Sequence, residues 1–524
     1  MRSFRDHKTY TLSWIVSLAL VAACFTWIGF QVHAFSAFQM DLDEALHAAR
    51  GLDMASALRR GSLPDLWRET VKPHWYPPGN GYLMGAWLLL AGGSVTSARL
   101  YAGFCYGLLG VLLWASTRQV FPRIQPFFLL APALFLLSDH QHLILASMSM
   151  LDLPANLLAF ASLYYFSTSL EKPAARYTLL ASLFALMSFF TRYGQGVMIL
   201  GTLAITYLMF VRRLKGRILK IALAWLPALV LLFVWLVVLG QWRWVVAYAN
   251  VQPGEGAAWS LDSLLFYLRQ LVSESSGWLP ILVIAVWGFS RWRQPGFPRL
   301  IIPYLVFFAT VLFVLSYRSN HIARFGTTLF PPLWVLAAGG AAELIARIRR
   351  QDFRIAAIAI WVMLLVFLAL KNQRSLPAGL RIAYENTNSG VNDAYDFIAE
   401  TVQASHQEQL KFVMYGETDS WNAYALHFYV QTLCMRSNPG CVIQVTGERE
   451  LNKGWPPQNT TEEVREARAR TALAAADYVL VFAKTPVLPQ EWVEVARREF
   501  TFARFRLDPQ RYQVVVLRPG SSAP

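Results

Sequence analysis

Charged residues are scarce in this sequence. Asp, Glu, Lys and Arg make up only 15% of its 524 residues, whereas 55% are hydrophobic and 14% are aromatic. Soluble globular domains carry charge at about a quarter of their positions. This composition excludes an ordinary soluble protein and predicts that the lipid bilayer is the main solvent of the chain.

Other absences narrow the class further. The sequence has no internal repeat of fixed period and no low-complexity segment, which argues against a solenoid or an inverted-repeat transporter. The first apolar run, residues 10–33, exceeds a signal-peptide core and has no convincing small-residue cleavage site, so we interpret it as a retained span. The net charge of +15 is divided among short clusters between apolar runs, which indicates membrane topology rather than a nucleic-acid partner.

We interpret eleven apolar runs as membrane spans. They lie near residues 10–33, 96–117, 125–142, 153–169, 177–191, 195–211, 218–240, 278–290, 300–316, 325–346 and 355–371. A shorter apolar stretch, residues 81–93, suits an interfacial or re-entrant helix better than a crossing. If it does not cross, the basic clusters accumulate on the side of the amino terminus, which the positive-inside rule makes cytoplasmic.

An odd number of crossings places the polar tail on the outer side of the membrane. Short strands are predicted at 412–415, 478–482 and 512–517, and helices at 391–403 and 461–475. The predicted fold class is therefore a polytopic α-helical membrane protein with about 11 transmembrane helices and a C-terminal soluble α/β domain. The predicted domains are 1–371, with a first outer loop at 34–95, and 372–524.

The four cysteines divide into two kinds. Cys24 and Cys105 lie within apolar runs, where a buried structural thiol is expected and no further role is assigned. Cys434 and Cys441 flank a turn-forming stretch in the polar tail. An oxidising compartment would allow these two to form a disulfide, but the sequence leaves that pairing open.

Acidic residues stand where spans meet the outer loops. Asp41, Asp43 and Glu44 open the first outer loop, and Asp152 precedes the fourth span. Such carboxylates suit a general base or a cation site, although helix starts also favour them and Asp152 suits an N-cap. His140 and His142 resemble half of a metal site, but residues two apart on a helix do not converge easily, so no metal site is predicted.

Basic and aromatic residues accompany these carboxylates on the outer side. The first loop continues through Lys72, His74 and Tyr76, where the aromatic residues suit either an interface belt or a sugar platform. Three arginines lie in outer segments, against the positive-inside trend, namely Arg192, Arg318 and Arg324. Tyr193 and His321 lie in the same segments. Arginines bind phosphate oxygens well, but snorkelling to lipid headgroups would also explain them.

The order of these motifs resembles that of the GT-C membrane glycosyltransferases. Asp43-Glu44 follows the first span, Pro77-Pro78 precedes an apolar half-helix, Ala98-Arg99-Leu100 begins the next span, Asp152 heads the fourth, and Thr191-Arg192-Tyr193 follows the fifth. Over about residues 10–345 the chain is similar to the family of protein O-mannosyltransferases and lipid A aminoarabinose transferases. The resemblance does not extend to the tail.

The resemblance implies an inverting glycosyltransferase that uses a polyprenyl-phosphate-linked sugar. Asp43 then matches the aspartate that acts as base or orients the acceptor, Glu44 its partner, and Asp152 the second acidic residue of the site. Substrate-binding roles follow for Asp41, Lys72, His74, Tyr76, Arg99, Arg192, Tyr193, Arg318, His321 and Arg324. No cofactor is assigned, and a divalent cation is left open.

The expected partners are the lipid-linked donor, membrane lipids and an acceptor that is a glycan, a lipid or a protein. The expected location is a bacterial inner membrane, with the C-terminal domain outside the cytoplasm. Two alternatives remain from the sequence. One is a secondary transporter or flippase, although the charges at outer span ends fit transport poorly because transporters place such groups near mid-membrane. The other is a non-catalytic assembly protein.

Overall fold

The computed structural model describes most of the chain. The described residues are 4–34, 40, 42–72, 76–172, 174–250, 261–273, 278–291, 300–317, 322–383, 388–389, 391–403, 409–417, 421–437, 441–447, 462–483, 492–504 and 510–519. The chain forms two compact units. The first, called here the helical unit, comprises Met1–Gly29, Ala102–Ser147 and Leu151–Gly379, and the second, the mixed unit, comprises Phe30–Tyr101, Met148–Met150 and Leu380–Pro524.

This division differs from the predicted domains. The first outer loop, residues 34–95, belongs to the same unit as the tail and not to the unit of the long apolar helices. The loop and the tail are in side-chain contact inside the mixed unit, where Ser56 Oγ donates to Met435 Sδ at 2.8 Å. The boundary near residue 371 is also interior to a helix, since α17 runs from Gln351 to Ala383.

The helical unit is built almost entirely of helices. They are α1 (Phe4–Ala34) and α5 (Val95–Val120), each in part, α6 (Ala131–Ser138), α7 (His140–Ala146), α8 (Asp152–Glu171), α9 (Ala175–Thr191), α10 (Tyr193–Leu214), α11 (Ile218–Phe233), α12 (Trp242–Asn250), α13 (Leu261–Ser273), α14 (Trp278–Arg291), α15 (Ile301–Tyr317), α16 (Phe330–Ala346) and most of α17. Short 3₁₀ turns occupy Pro126–Leu130, Lys215–Arg217 and Ala323–Leu329, and a π turn occupies Val234–Val238.

Within the described residues, six helices are long and apolar enough to cross a membrane. They are Trp14–Ala34, Val95–Val120, Tyr193–Arg212, Lys215–Val238, Arg324–Ala346 and Gln351–Lys371. The bent pair Phe127–Ser138 and His140–Ala146 would add a seventh as one broken span. These helices, with α8 and the shorter apolar helices α9, α14 and α15, occupy all eleven predicted runs, and the number of crossings stays a prediction.

The apolar helices differ in how much of their surface is covered by protein. Only 17% of Lys215–Val238 and 22% of Gln351–Lys371 is buried, against 78% of Arg324–Ala346. Large side chains such as Leu219 and Phe367 are among the most exposed. Apolar surface of this extent requires a nonaqueous solvent, so these two helices are the ones whose packing depends most on lipid.

The mixed unit combines helices with one sheet. Its helices are α2 (Leu42–Arg59), α3 (Leu63–Val71), α4 (Gly79–Ala91), α18 (Val391–Gln403), α19 (Ala423–Ser437) and α20 (Glu462–Ala474). Its strands are β1 (Asn388–Ser389), β2 (Gln409–Tyr415), β3 (Val442–Gly447), β4 (Tyr478–Ala483), β5 (Trp492–Arg504) and β6 (Gln510–Pro519). At 13 residues, α4 has the short length expected of the helix predicted not to cross.

The strands form a mixed six-stranded sheet in the order β1-β5-β6-β4-β2-β3. The pairs β2–β3 and β2–β4 are parallel, and the remaining pairs are antiparallel. Buried aliphatic side chains such as Val413, Val479 and Val515 form part of its core. The predicted α/β domain is confirmed, and the predicted strands and helices of the tail all appear.

The disulfide left open by the sequence is formed. Cys434 and Cys441 are joined, with their Cα atoms 5.9 Å apart. Gln431 adds two hydrogen bonds beside the disulfide. Its Nε2 donates to the Cys441 carbonyl at 2.7 Å, and its Oε1 accepts from the Ile443 amide. The covalent link and these bonds hold the end of α19 to the start of β3. Cys24 and Cys105 are buried thiols, as expected.

Close backbone approach joins α2 to α4. A Cβ atom added to Gly85 would lie 2.9 Å from the Gly51 carbonyl oxygen and 3.2 Å from the Ala55 amide nitrogen. Both neighbours are backbone atoms, so they cannot move aside as a flexible side chain would. Glycine at this position therefore sets the distance at which α4 packs on the helix that carries Asp43 and Glu44.

We expect Gly85→Ala to lower the stability of the protein by about 1–3 kcal/mol, the usual effect of overpacking. Gly288→Ala is the matched control, because no described atom beyond its chain neighbours and its own helix backbone lies within 4 Å of a Cβ added at Gly288. That control should be neutral or slightly stabilising, since alanine restricts the unfolded chain. Thermal unfolding of the two purified variants measures both effects, and equal midpoints would contradict the proposed packing.

Candidate functional site

The predicted acidic motif forms the first turn of α2, which begins at Leu42. Asp43 is half-buried there, whereas Glu44 is completely buried. Carboxylates are favoured in a first turn because the helix dipole and free amide groups place positive charge at the N-terminus. The helix dipole therefore favours both carboxylates at this position, but the two side chains have different surroundings. Asp41 lies outside the described residues.

Both carboxylate oxygens of Glu44 accept hydrogen bonds from residues of the mixed unit. Arg99, in the first turns of α5, donates from Nε to Oε1 and from Nη2 to Oε2, each at 3.2 Å, and neither side chain is exposed. The Ser149 amide donates to Oε1 at 2.8 Å, and its Oγ donates to the Glu44 carbonyl at 3.2 Å. Bidentate Arg–carboxylate pairs stabilise the fold and also fix the relative orientation of the two side chains. This pair joins α2, α5 and the 148–150 segment.

This geometry separates the roles predicted for the acidic pair. Both Glu44 oxygens accept hydrogen bonds from protein, so Glu44 fits a positioning role better than contact with a substrate. The same holds for Arg99, whose guanidinium is fully buried against that carboxylate. Asp43, one residue earlier, is the carboxylate with solvent-accessible surface in this turn. Its role as base remains a prediction.

The segment after α3 is tied to α2 by a residue that the sequence reasoning did not select. Arg50 donates from Nη1 to the backbone carbonyls of Tyr76 and Pro77, the second at 3.3 Å. The half-buried ring of Tyr76 meets His47 edge-on with ring centroids 4.7 Å apart. The predicted sugar-platform residue Tyr76 thus lies against α2. Lys72 is exposed and pairs with Glu69 at 3.6 Å, and His74 lies outside the described residues.

In the helical unit, Asp152 and Arg192 come together. Asp152 opens α8, and Arg192 stands between α9 and α10 in extended backbone. Arg192 Nη1 donates to Asp152 Oδ1, and both side chains are nearly fully buried. The N-cap position of α8 is Leu151, so Asp152 is the first residue of the helix and not its N-cap, and its carboxylate forms this ion pair. Two residues 40 positions apart in the sequence are thereby joined.

A second predicted arginine lies close to this pair. The guanidinium carbon of Arg192 lies 4.5 Å from the centre of the Phe325 ring, and that of Arg324 lies 5.6 Å from the same ring. Cations over an aromatic face are attracted by its negative quadrupole. Both guanidinium groups therefore lie against the same aromatic ring. The sequence reasoning missed Phe325, and Arg318 and His321 lie outside the described residues.

Polar contacts fix the Ala323–Leu329 turn that carries these residues. Asn156, one turn after Asp152 on α8, donates to Thr327 Oγ1 at 3.1 Å and accepts from Thr328 Oγ1 at 2.7 Å. All three side chains are buried. Buried amides need such partners because unpaired ones are costly. Asn156 was not predicted, although an Asp and an Asn at i and i+4 on one apolar helix were a readable signal.

Tyr193, His140 and His142 are the last of the residues considered in the sequence that the structure describes. Tyr193 is buried and its ring meets Phe189 edge-on, with centroids 5.1 Å apart. Asp139 caps α7 by accepting from the His142 amide at 2.8 Å. In the described part of the chain, no three His, Cys, Asp or Glu side chains group as a metal site. His140 and His142 thus do not belong to a metal-ligand cluster there.

The sequence matches the family model described as dolichyl-phosphate-mannose-protein mannosyltransferase over residues 76–242, which is less than half of the chain. The matched region includes Arg99, Asp152 and Arg192 and ends before the Ala323–Leu329 turn. No curated protein matches in sequence.

Two solved structures are similar over nearly the whole chain. ArnT from Cupriavidus metallidurans in the apo state has a TM-score of 0.56 at 13% identity and covers 97% of this chain and 98% of its own. The same protein bound to undecaprenyl phosphate has a TM-score of 0.53 at 12% identity, covering 96% and 98%. The resemblance drawn from the sequence is confirmed, and this multi-pass membrane protein has the fold of the GT-C glycosyltransferases.

Proposed function

We propose that this protein is an inverting glycosyltransferase that moves a sugar from a polyprenyl-phosphate-linked donor to an acceptor hydroxyl. The observation that carries the proposal is the Asp152–Arg192 pair beside Arg324, in a fold shared with a protein described in complex with undecaprenyl phosphate. Arginine clusters suit a lipid phosphate because guanidinium groups form charge-assisted bonds to its oxygens.

The donor side of this reaction requires stabilisation of a leaving phosphate. A guanidinium group has five N–H donors, and Arg192 uses Nη1 to donate to Asp152. The guanidinium groups of Arg192 and Arg324 would bind the phosphate as its negative charge increases. Preorganised donors of this kind stabilise charge that develops in the transition state. Asp152 is then a positioning residue for Arg192.

The acceptor side requires a base, and we assign this role to Asp43. The acceptor oxygen attacks C1 of the sugar while its proton passes to the Asp43 carboxylate. The bond between C1 and the phosphate oxygen breaks, and polyprenyl phosphate leaves with the bonding electrons. The phosphate is already a good leaving group, so no strong general acid is needed.

The proposed location is a bacterial inner membrane with the amino terminus in the cytoplasm and the mixed unit outside. The basic clusters on the inner side support this orientation. The Cys434–Cys441 disulfide supports an oxidising compartment for the tail.

We expect Arg192→Gln to lower the rate of polyprenyl phosphate release by about 100-fold, the usual loss when one preorganised donor is removed. The measurement is release from polyprenyl-phosphate sugars by purified protein. Arg243→Gln is the control, since Arg243 is an exposed arginine in the next predicted outer segment.

The double variant Asp152→Asn, Arg192→Gln separates catalysis from folding. Removing both charges avoids a buried unpaired carboxylate, so stability should largely return. The proposal expects release to remain slow in this variant. Full recovery of release together with stability would show that Arg192 serves only the fold.

A further inference from the structure

A polar cavity lies inside the mixed unit, apart from the residues discussed for the donor. Its volume is about 490 Å³, and its walls come from α2, α3, α19 and β3. Ligand sites typically have volumes of about 300–1,000 Å³. The cavity is therefore large enough for a small organic ligand, and both the first outer loop and the tail contribute to it.

The face of α2 that lines this cavity leads to Asp43. Leu46, Arg50, Asp53 and Ala57 line the cavity at spacings of three and four residues, which places them on one helix face. Asp43 stands three residues before Leu46 and so lies on the same face. At 1.5 Å per residue, Asp43 and Asp53 are about 15 Å apart along the helix. A ligand of two or three linked rings would span that length.

The cavity is lined by four basic side chains and three carboxylates, and most of these charged groups are paired. Arg60 and Arg68 pair with Asp65 at 3.1 and 2.8 Å, and Lys72 pairs with Glu69 at 3.6 Å. Arg50 is bound to the two backbone carbonyls described above. A phosphate-bearing ligand would have to displace carboxylates from these cations. Because the cations are already paired and the net charge of the lining is small, the lining suits an uncharged polar ligand.

Asp53 is also paired, and it keeps capacity for a ligand. Its Oδ1 lies 2.7 Å from His427 Nε2 on α19. Burial alone would raise the pKa of Asp53, but the charge and hydrogen bond of His427, with the charges of Lys72 and Arg50, hold that pKa below its ordinary value. The carboxylate therefore stays ionised and presents its second oxygen as a hydrogen-bond acceptor.

Donor and aromatic groups complete the lining. Arg60 Nη1 is a buried nitrogen with no hydrogen-bond partner among the described residues, and the same guanidinium uses Nη2 for Asp65. Tyr424 adds an amphipathic ring, and Gln444 adds an amide. Mixed donors and acceptors with one aromatic surface match a ligand whose hydroxyl groups both donate and accept.

We propose that this cavity binds a neutral glycan that serves as the acceptor. A hydroxyl group of the glycan would donate a hydrogen bond to Asp53, and another would accept one from Arg60. The glycan would extend along α2 so that its terminal hydroxyl reaches Asp43. This inference rests on the proposed glycosyltransferase function and names its acceptor class. It also explains why the first outer loop packs on the tail, since both would form the acceptor site.

The test is equilibrium binding, which needs neither donor nor turnover. Fluorescein-labelled maltotriose, mannotriose and chitotriose are titrated against the purified full-length protein by fluorescence anisotropy. We expect at least one to bind, and Asp53→Asn and Arg60→Gln each to weaken its affinity about tenfold or more. Arg60→Gln leaves the Asp53–His427 contact intact, so it tests the cavity without breaking that pair. Arg497→Gln, in an exposed pair on β5, is the control and should bind normally.

Two outcomes would overturn this inference. The first is that no trisaccharide binds the wild type, or that both cavity variants bind as the wild type does. The second is that micelles of diphosphoryl lipid A bind instead and lose affinity in Arg60→Gln, which would identify an anionic lipid acceptor. Neither outcome bears on the donor, because polyprenyl phosphate release by wild type and Asp43→Asn tests the transferase separately.

Discussion

Replacing Asp43 by asparagine is expected to lower the rate of polyprenyl phosphate release by about 10²–10⁴-fold, the usual contribution of a general base. Asparagine keeps the size and polarity of the side chain but cannot take the acceptor proton. Asp43 is half-buried, next to a completely buried partner. The substitution should therefore leave the fold in place. Release of polyprenyl phosphate from lipid-linked sugars measures the effect.

A control must separate the base from the electrostatics of a helix start. Asp393 has the same relation to α18, as an exposed carboxylate in the first turn. Both substitutions remove a favourable interaction with a helix dipole, which is about 0.3–1 kcal/mol at an exposed site. Asp393→Asn should keep full turnover. If Asp43→Asn also turned over normally, another residue would have to be the base.

Glu44→Gln is expected to destabilise the protein by about 3–5 kcal/mol, the usual loss when one partner of a buried ion pair is removed. Glutamine cannot accept from Arg99 and Ser149 with both of its polar atoms, and it leaves the Arg99 guanidinium buried without a counter-charge. The first turn of α2 would then lose its link to α5. Thermal unfolding in a fixed detergent measures the change.

The Arg497–Glu494 pair offers a matched comparison on the surface. It has the same two-pronged geometry, with Arg497 Nε 3.1 Å from Glu494 Oε1 and Nη2 2.7 Å from Oε2, but both side chains are exposed. Glu494→Gln should therefore change stability by less than about 1 kcal/mol. The double variant Glu44→Gln, Arg99→Met should recover much of the stability lost in Glu44→Gln. Equal effects at the two sites would contradict the buried role of Glu44.

Local patterns in the sequence predicted those elements that are locally distinct. Strands β2, β4 and β6 are continuous apolar runs in a polar tail, and α18 and α20 have clear helical composition. By contrast, β5 carries four arginine and glutamate residues between Val493 and Glu499 and is mostly exposed, so neither hydrophobicity nor burial marks it. Its pairing with β6 is a property of the sheet.

The site was only partly predictable for a similar reason. The positions of Asp43, Asp152 and Arg192 relative to the spans indicated acidic and basic groups on one side. The partners that distinguish their roles are distant in sequence: Arg99 lies 55 residues from Glu44, and Ser149 lies 105 residues from it. His427 lies 374 residues from Asp53. Such contacts follow from packing, which periodicity and spacing do not encode.

The most direct test of the account is polyprenyl phosphate release by the purified wild-type protein. Polyprenyl-phosphate hexoses and pentoses are supplied with a cell-envelope extract as the source of acceptor. The account predicts release that requires both donor and extract and that is lost in Asp43→Asn. No release from any donor, with proton-dependent flux of a sugar or lipid in liposomes, would contradict it and identify a transporter.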